Sequence, residues 1–379
     1  VIVKAFLRWA ETARTADRAR AANALGRAYL QSTMASQERE AARMAMTFLL
    51  DDPSPRVRLA LAEALATAPG APRAVVMSLA GDQPEIAATV LAASPVLGDA
   101  DLIDLAGRGD DYSRAVIAAR RGLSAPVAAA IAEIADLSGV AVLLENETAR
   151  VGRLSLRRIA ERFGGDAEVR DLLLWRADLP ADARHLLVSE LSAALAGHGL
   201  VRNAIGDRRM ERLCREVSEA AAVVIAGTAA REEIPPLVEH LRRSGRLTPA
   251  FLMHALCMGR VEFFAEAIRN LSGLEEMRVR ALLATGRMHA VRALFETIGL
   301  ARDISVIFVE AVMLWRQASQ GDDLSAAGNI CGALLEKFRA PGMNLTAAAE
   351  LLDLVEKLDI ARQRQVARLY ADHMVLEAA

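Results

Sequence analysis

The chain has 379 residues, of which 53% are apolar and only 4% aromatic, and its formal net charge is −2. So much apolar side chain excludes disorder as the default, and the shortage of aromatics leaves the packing to Ala, Leu, Val and Ile, which suits closely spaced helices better than strands. The near-neutral charge excludes a bulk attraction to nucleic acid or to an anionic membrane surface.

From the first residues onward the apolar spacing is helical. Breakers arrive roughly every 10 to 20 residues, the rhythm of short helices joined by tight turns. Residues 1 to 40 read as a capping segment. Phe6, Trp9 and Ala10 form one apolar face and Ala21, Leu25 and Tyr29 another, with Trp9 as an anchor for the first repeat. Prolines fall where helices should start, at Pro53, Pro55, Pro72, Pro84, Pro126 and Pro180, because a first-turn N–H has no intrahelical partner to lose. Ser54, Asp82, Asp99 and Asp166 are candidate N-caps.

A weak repeat runs through this part. Leu49-Leu50-Asp51-Asp52-Pro53 is echoed by Leu79-Ala80-Gly81-Asp82-Gln83-Pro84, by Leu105-Ala106-Gly107-Arg108-Gly109-Asp110, and later by Leu143-Leu144-Glu145-Asn146 and Leu173-Leu174-Trp175-Arg176-Ala177-Asp178-Leu179-Pro180. Each echo is a helix ending in Leu, a polar turn, and a new amphipathic helix. The spacing of about 26 to 38 residues matches helical solenoid repeats, in which neighbouring pairs share a continuous core. Leu50 is expected to face that core.

The pattern loosens at Gly197-His198-Gly199, continues through a basic stretch from Arg202 to Arg215 and an Ala-rich run to Ala230, and reaches a loop at Glu232-Glu233-Ile234-Pro235-Pro236. Helices resume with Phe251, Phe263, Phe264, Phe295, Phe308 and Trp315. The expected organisation is an all-α, HEAT-like alpha-solenoid of stacked helix pairs with a second helical C-terminal subdomain. Residues 1–200 hold the capping helices and repeats, 201–235 a connecting helix and loop, and 236–379 the C-terminal subdomain.

Several of these runs resemble a bacterial family known as domain of unknown function 2336. They are Trp9-Ala10-Glu11-Thr12-Ala13 with Asp17-Arg18-Ala19, then Asp51-Asp52-Pro53-Ser54-Pro55-Arg56-Val57-Arg58 leading into Ala62-Glu63-Ala64-Leu65-Ala66. Ala71-Pro72-Arg73, Ser94-Pro95-Val96-Leu97, Ala132-Glu133-Ile134 and Gly245-Arg246-Leu247-Thr248-Pro249 follow. The Asp-Asp-Pro-Ser run is the most specific. The resemblance implies a helical, HEAT-like fold and supplies no catalytic residues.

No catalytic constellation is legible. Gly197-His198-Gly199 lacks the third Gly and the preceding strand of a dinucleotide fingerprint, and neither a Gly-x-Ser-x-Gly elbow nor a His-Glu-x-x-His helix occurs. His254 and Cys257 share a helix face, with Cys214 and His240 as further conceivable ligands, but no second close pair completes a zinc site. No metal and no cofactor is expected. Asp51-Asp52, Asp110-Asp111 and Asp322-Asp323 read as turn and capping residues. Cys214, Cys257 and Cys331 are too few and too scattered for a disulfide framework, so a reducing, cytoplasmic setting fits. The uncharged run Ala220–Ala230 falls short of the roughly 20 apolar residues that span a bilayer.

All but three of the 46 basic residues are arginine, the exceptions being Lys4, Lys337 and Lys357. Arg150, Arg153, Arg157, Arg158 and Arg162 converge on one helix, and Arg202, Arg208, Arg209, Arg212 and Arg215 form a second cluster. Forked guanidinium groups suit carboxylate or phosphate recognition. The bland alternative is a solvated face offset by neighbouring acids. The expected function is a non-enzymatic scaffold or adaptor binding an acidic protein partner through the first cluster. The alternative is a nucleic-acid-binding protein similar to the HEAT-like alkylpurine DNA glycosylases, which net charge and scarce aromatics oppose. No membrane partner is expected.

Overall fold

The computed structural model describes residues 8–320, 330–339 and 348–377. Among them every regular element is a helix and no strand occurs, as the composition requires. Phe6 and the pair Asp322-Asp323 lie outside the described residues. The chain divides into two compact units, Val1–Ala183 and Arg184–Ala379.

The first unit contains α1 (Thr15–Gln31), α2 (Ser36–Leu49), α3 (Pro55–Leu65), α4 (Arg73–Ala80), α5 (Pro84–Ala93), α6 (Asp99–Arg108), α7 (Asp111–Ala118), α8 (Ala125–Ile134), α9 (Leu137–Glu145), α10 (Arg153–Phe163) and α11 (Ala167–Leu174). Each odd-numbered helix packs on the next odd-numbered one from α1 to α11, while α6 packs on α8 and α8 on α10. Helices α3, α5, α7, α9 and α11 begin at residues 55, 84, 111, 137 and 167, so the structural period is 26 to 30 residues.

The buried residues explain the two rows. Val75, Val76, Leu79 and Ala80 on α4, Ile86, Ala87, Val90 and Leu91 on α5, Val127, Ala128, Ile131 and Ala132 on α8, and Ser155, Leu156, Ile159 and Ala160 on α10 share one pattern, i, i+1, i+4, i+5. At 3.6 residues per turn that covers roughly 140° of the helix, wide enough for more than one neighbour. Small residues let the helices approach closely. The tightest case is Gly26 on α1, where a Cβ would sit 2.8 Å from that of Ala64 on α3.

Two expected faces are shifted by one residue. On α1 Tyr29 is buried as expected, but Ala22 and Gly26 are buried in place of Ala21 and Leu25, because the helix turns its smallest residues toward α3. Leu49 is 1% exposed, while Leu50 follows the last turn of α2 and is only half-buried. Trp9 is 40% exposed.

Short helices leave many terminal carbonyls without intrahelical partners, and arginines from later in the chain reach them. Arg114 donates to Ala106 O at 3.0 Å, and Arg120 to Leu91 O and to Ser94 O, the latter at 2.9 Å. Asn146 donates to Ala118 O and Arg120 O, both at 2.7 Å. At the turns, Asp52 takes the Arg18 fork at 2.7 and 3.0 Å and Asp82 takes that of Arg58 at 2.6 and 3.0 Å. Asp52 also accepts from Ser54 N, Asp110 accepts from Ser113 N, and Asp166 accepts from Glu168 N and Val169 N. The acidic turn residues are therefore structural. Pro55 and Pro84 each open a helix.

The second unit contains most of α12 (Ala181–Gly197), then α13 (Gly199–Ile205), α14 (Asp207–Thr228), a 3-10 turn at Arg231–Glu233, α15 (Ile234–Arg243), α16 (Pro249–Cys257), α17 (Val261–Ser272), α18 (Glu276–Thr285), α19 (Met288–Thr297), α20 (Arg302–Gln320), α21 (Ile330–Phe338) and α22 (Ala349–Glu377). Phe251, Phe263, Phe264, Phe295 and Phe308 are all fully buried, and Phe264 lies 6.1 Å from both Phe295 and Phe308. The run Gly245-Arg246-Leu247-Thr248-Pro249 is a stop-and-start signal. Gly245, at φ 66°, ends α15, with its N–H on Arg242 O and the Arg246 N–H on Leu241 O. Thr248 then caps α16 by accepting from Phe251 N, and Pro249 opens it.

Leu49→Asp should unfold or aggregate the protein, since an unpaired carboxylate in that core costs several kcal/mol, roughly 3 or more. Leu50→Asp should shift the melting temperature much less. Equal losses in thermal denaturation would contradict the register of α2.

Candidate functional site

Helix α10 carries the first arginine cluster, and its five members do different work. Arg150 precedes the helix and is exposed, its backbone N–H bonded to Leu123 O at 2.9 Å. Arg153 opens the helix and is exposed. Arg157 bridges Glu161 at 3.0 Å and Asp182 at 2.8 Å, and the Asp182 side chain is only 5% exposed. Arg158 forks onto Glu133 at 2.7 and 2.8 Å, which holds that carboxyl below its ordinary range. Arg162 donates to Ala132 O at 2.6 Å and Ala135 O at 2.8 Å, the end of α8, with its guanidinium 4.6 Å from the Phe163 ring centre. Arg157, Arg158 and Arg162 thus tie α10 to its neighbours, while Arg150 and Arg153 are exposed at its N-terminal end.

Exposed apolar side chains that the sequence reading did not single out as a surface lie on α10 and at the end of α11. Leu154 is 83% exposed, and Trp175, just after α11, is 91% exposed with Leu174 next to it at 42%. Only Gly164-Gly165-Asp166 separates α10 from α11, and the two helices pack together, so the start of α10 and the end of α11 lie at the same end of a helical hairpin. The legible signal was Leu172-Leu173-Leu174-Trp175, which has more apolar residues than one helix face can bury; of the first three only Leu173 is fully covered.

The second cluster lies on α13 and α14. Arg202 pairs with Asp207 at 3.1 Å, and Arg208, Arg209, Arg212 and Arg215 are exposed. Arg202, Arg215 and Arg246 border an open cleft of about 680 Å³ together with Ser189, Ser192 and Cys214. Beneath it runs a polar chain. Ser189 Oγ lies 3.4 Å from Ser218 Oγ, Ser218 Oγ lies 3.3 Å from His185 Nε2, and His185 Nδ1 shares a 3.1 Å hydrogen bond with His240 Nε2. His185 is 1% exposed. Burial, then the charge His240 would carry, push its pKa from an ordinary 6.5 down to about 4, so the ring is neutral near pH 7.

The conceivable zinc ligands are not brought together. His240 is engaged with His185, Cys214 donates to Ser192 O at 3.5 Å, and Cys257 meets Cys331. That thiol contact, with burial, raises Cys257 well above the ordinary thiol range. Among the described residues no three His, Cys, Asp or Glu side chains are grouped as a metal ion would need, and no helix is long and apolar enough to cross a membrane.

Residues 86–341 match the model of a family described as an uncharacterised protein conserved in bacteria, DUF2336. The chain belongs to the DUF2336 family. The matched stretch includes the α10 arginines and the run from Gly245 to Pro249, whereas Asp51-Asp52-Pro53-Ser54 lies before it. No curated protein and no solved structure matches this DUF2336 chain.

Two outcomes follow for this DUF2336 protein. Arg162→Met leaves the Ala132 and Ala135 carbonyls short of a donor and should cost roughly 1–3 kcal/mol in denaturant unfolding, whereas Arg150→Met should stay within about 0.5 kcal/mol of the parent. The His185 ring is held neutral by the fold, so its contribution is complete above pH 6.5 and is lost as the pH falls toward about 4. His254, also pushed down by burial, acts in the same direction. Stability should decline between pH 6.5 and 5, before carboxylates titrate, and His185→Asn should flatten that slope; across the whole window His185 accounts for about 3 kcal/mol.

Proposed function

We propose that this DUF2336 protein is a non-enzymatic cytoplasmic adaptor, built as a HEAT-like solenoid of stacked helix pairs, that docks an acidic protein partner on the α10–α11 end of its first unit. The observation that carries this reading is the exposure of Trp175, 91%, at the same end of the hairpin as Leu154, Arg150 and Arg153. Leaving a tryptophan in water forfeits a large burial gain, and Trp with Arg is the pair most often found at the energetic centre of protein interfaces. The alternate-helix packing and the 26- to 30-residue period support the solenoid description. In this reading Arg157, Arg158 and Arg162 position the surface, and Arg150 and Arg153 steer the partner.

The test is affinity capture from cells with parent protein and with two variants, Trp175→Ala and the double reversal Arg150→Glu/Arg153→Glu, followed by mass spectrometry. Arg157 is spared because its loss would strand the buried Asp182 carboxylate. Both variants should keep the parent melting temperature and lose the same partner, and raised salt should mimic the reversal. Recovery of identical partners by all three proteins would refute the docking surface. Duplex DNA is titrated in parallel, since tight binding with a steep salt dependence, abolished by the reversal, would favour the nucleic-acid alternative instead.

A further inference from the structure

A half-enclosed cavity of about 410 Å³ lies in the second unit, bordered by α16, α17, α18 and α20. Its walls are apolar, with Leu256, Phe264, Leu283, Val312 and Trp315 contributing. Phe264 is backed by the buried Phe295 and Phe308, and Trp315 is fixed by its indole N–H on Leu256 O at 2.8 Å. The walls are therefore rigid and aromatic. The cavity is within the size range of small-molecule sites, where apolar walls bind the body of a ligand and a few polar groups orient it.

The charges around it are unequal. Glu262, Arg280 and Arg316 line the cavity. Glu262 and Arg280 neutralise each other through a fork at 2.6 and 3.1 Å. Arg316 has no such partner among the described residues. Its Nε, Nη1 and Nη2 each donate at 2.7 Å to backbone carbonyls of Leu283, Gly286 and Leu282, and Nη1 also faces Met313 Sδ at 3.5 Å. These acceptors carry no net charge, and no described carboxylate forms an ion pair with Arg316. With five guanidinium hydrogens available, one on Nη2 stays uncommitted. A fixed cation at the edge of an apolar chamber, already locked in place by the end of α18, is matched by a single negative charge on an otherwise apolar molecule.

We propose that this cavity binds a small amphipathic organic acid, its hydrocarbon or aromatic body against Phe264 and Trp315 and its anionic group toward Arg316. The site belongs to the second unit and does not depend on the docking reading.

The experiment uses the full chain with 8-anilinonaphthalene-1-sulfonate, an aromatic anion whose fluorescence rises on apolar burial, displaced by decanoate or by the neutral decanol. One saturable site is expected, emptied by decanoate more effectively than by decanol. Ala284→Phe and Ser319→Trp both fill the cavity from its rim at exposed positions. Each should weaken probe binding about tenfold or more with the melting temperature unchanged, and either variant suffices if the other does not fold. Arg280→Gln leaves the Glu262 carboxylate at the cavity, and Glu276 beside it, without that counter-charge, and should weaken decanoate competition about fivefold and leave decanol unchanged. Absence of saturable binding, or parent-like binding in a folded filled variant, overturns the site. Equal displacement by decanol and decanoate, insensitive to Arg280→Gln, overturns the acid as its ligand.

Discussion

A helix of eight or ten residues has four carbonyls at its C-terminal end with no intrahelical acceptor role, close to half of what it carries. A chain built from such helices must satisfy those oxygens from outside or leave them in water, and this constraint shapes the rest of the molecule. Arg114, Arg120, Arg162 and Arg316 reach carbonyls at the ends of earlier helices, Asn146 does the same with an amide, and Trp315 with its indole N–H. Arg170 donates to Gly164 O and Gly165 O just after α10. Most of these bonds link elements about 30 residues apart in sequence, or closer, and the Trp315 bond spans 59. The arginines among them also place positive charge at the negative end of the helix they cap. Arginine suits the task because its planar fork holds its charge at any pH and can serve several oxygens at once, which a lysine ammonium does less selectively.

That constraint also explains why a helical wheel does not separate the arginines that tie α10 to its neighbours from those exposed at its N-terminal end. On a helical wheel Arg157, Arg158 and Arg162 converge, and a wheel carries no information about what lies opposite. Their partners, Asp182, Glu133 and two backbone carbonyls, come from helices before and after. The helical class, the proline-started helices, the capping role of Asp110 and Asp166 and the phenylalanine-rich second part were legible, because each rests on local chemistry or composition. The buried faces of α1 and the end of α2 were missed by one residue, since Ala21 and Ala22, or Leu49 and Leu50, look alike until a neighbour chooses between them. The His185–His240 contact was invisible for the same reason: 55 residues separate the two rings, and no spacing rule joins them.

The second unit holds together differently from the first. Where the first relies on repeated pairs of small and medium aliphatic side chains, the second gathers five fully buried phenylalanines and stops several of its helices with glycine. Close-packed aliphatic rows fill their interior evenly, whereas large flat rings joined by edge contacts more readily leave a chamber beside them. The cavity next to Phe264 and Trp315 fits that difference in building material, as does its fixed cation, which arises from the same carbonyl capping that operates in the first unit.

The placement of the three tryptophans has an optical consequence. Trp9 and Trp175 stand at the surface of the first unit, 40% and 91% exposed, and none lies in its core. Trp315 sits half-buried in the second, hydrogen-bonded and against Gly259. Emission from Trp175 should already be red-shifted in the native protein and respond little to unfolding of the unit it belongs to. Intrinsic fluorescence is thereby an uneven witness to denaturation, reporting the second unit through Trp315 while the aliphatic rows of the first can melt almost in the dark.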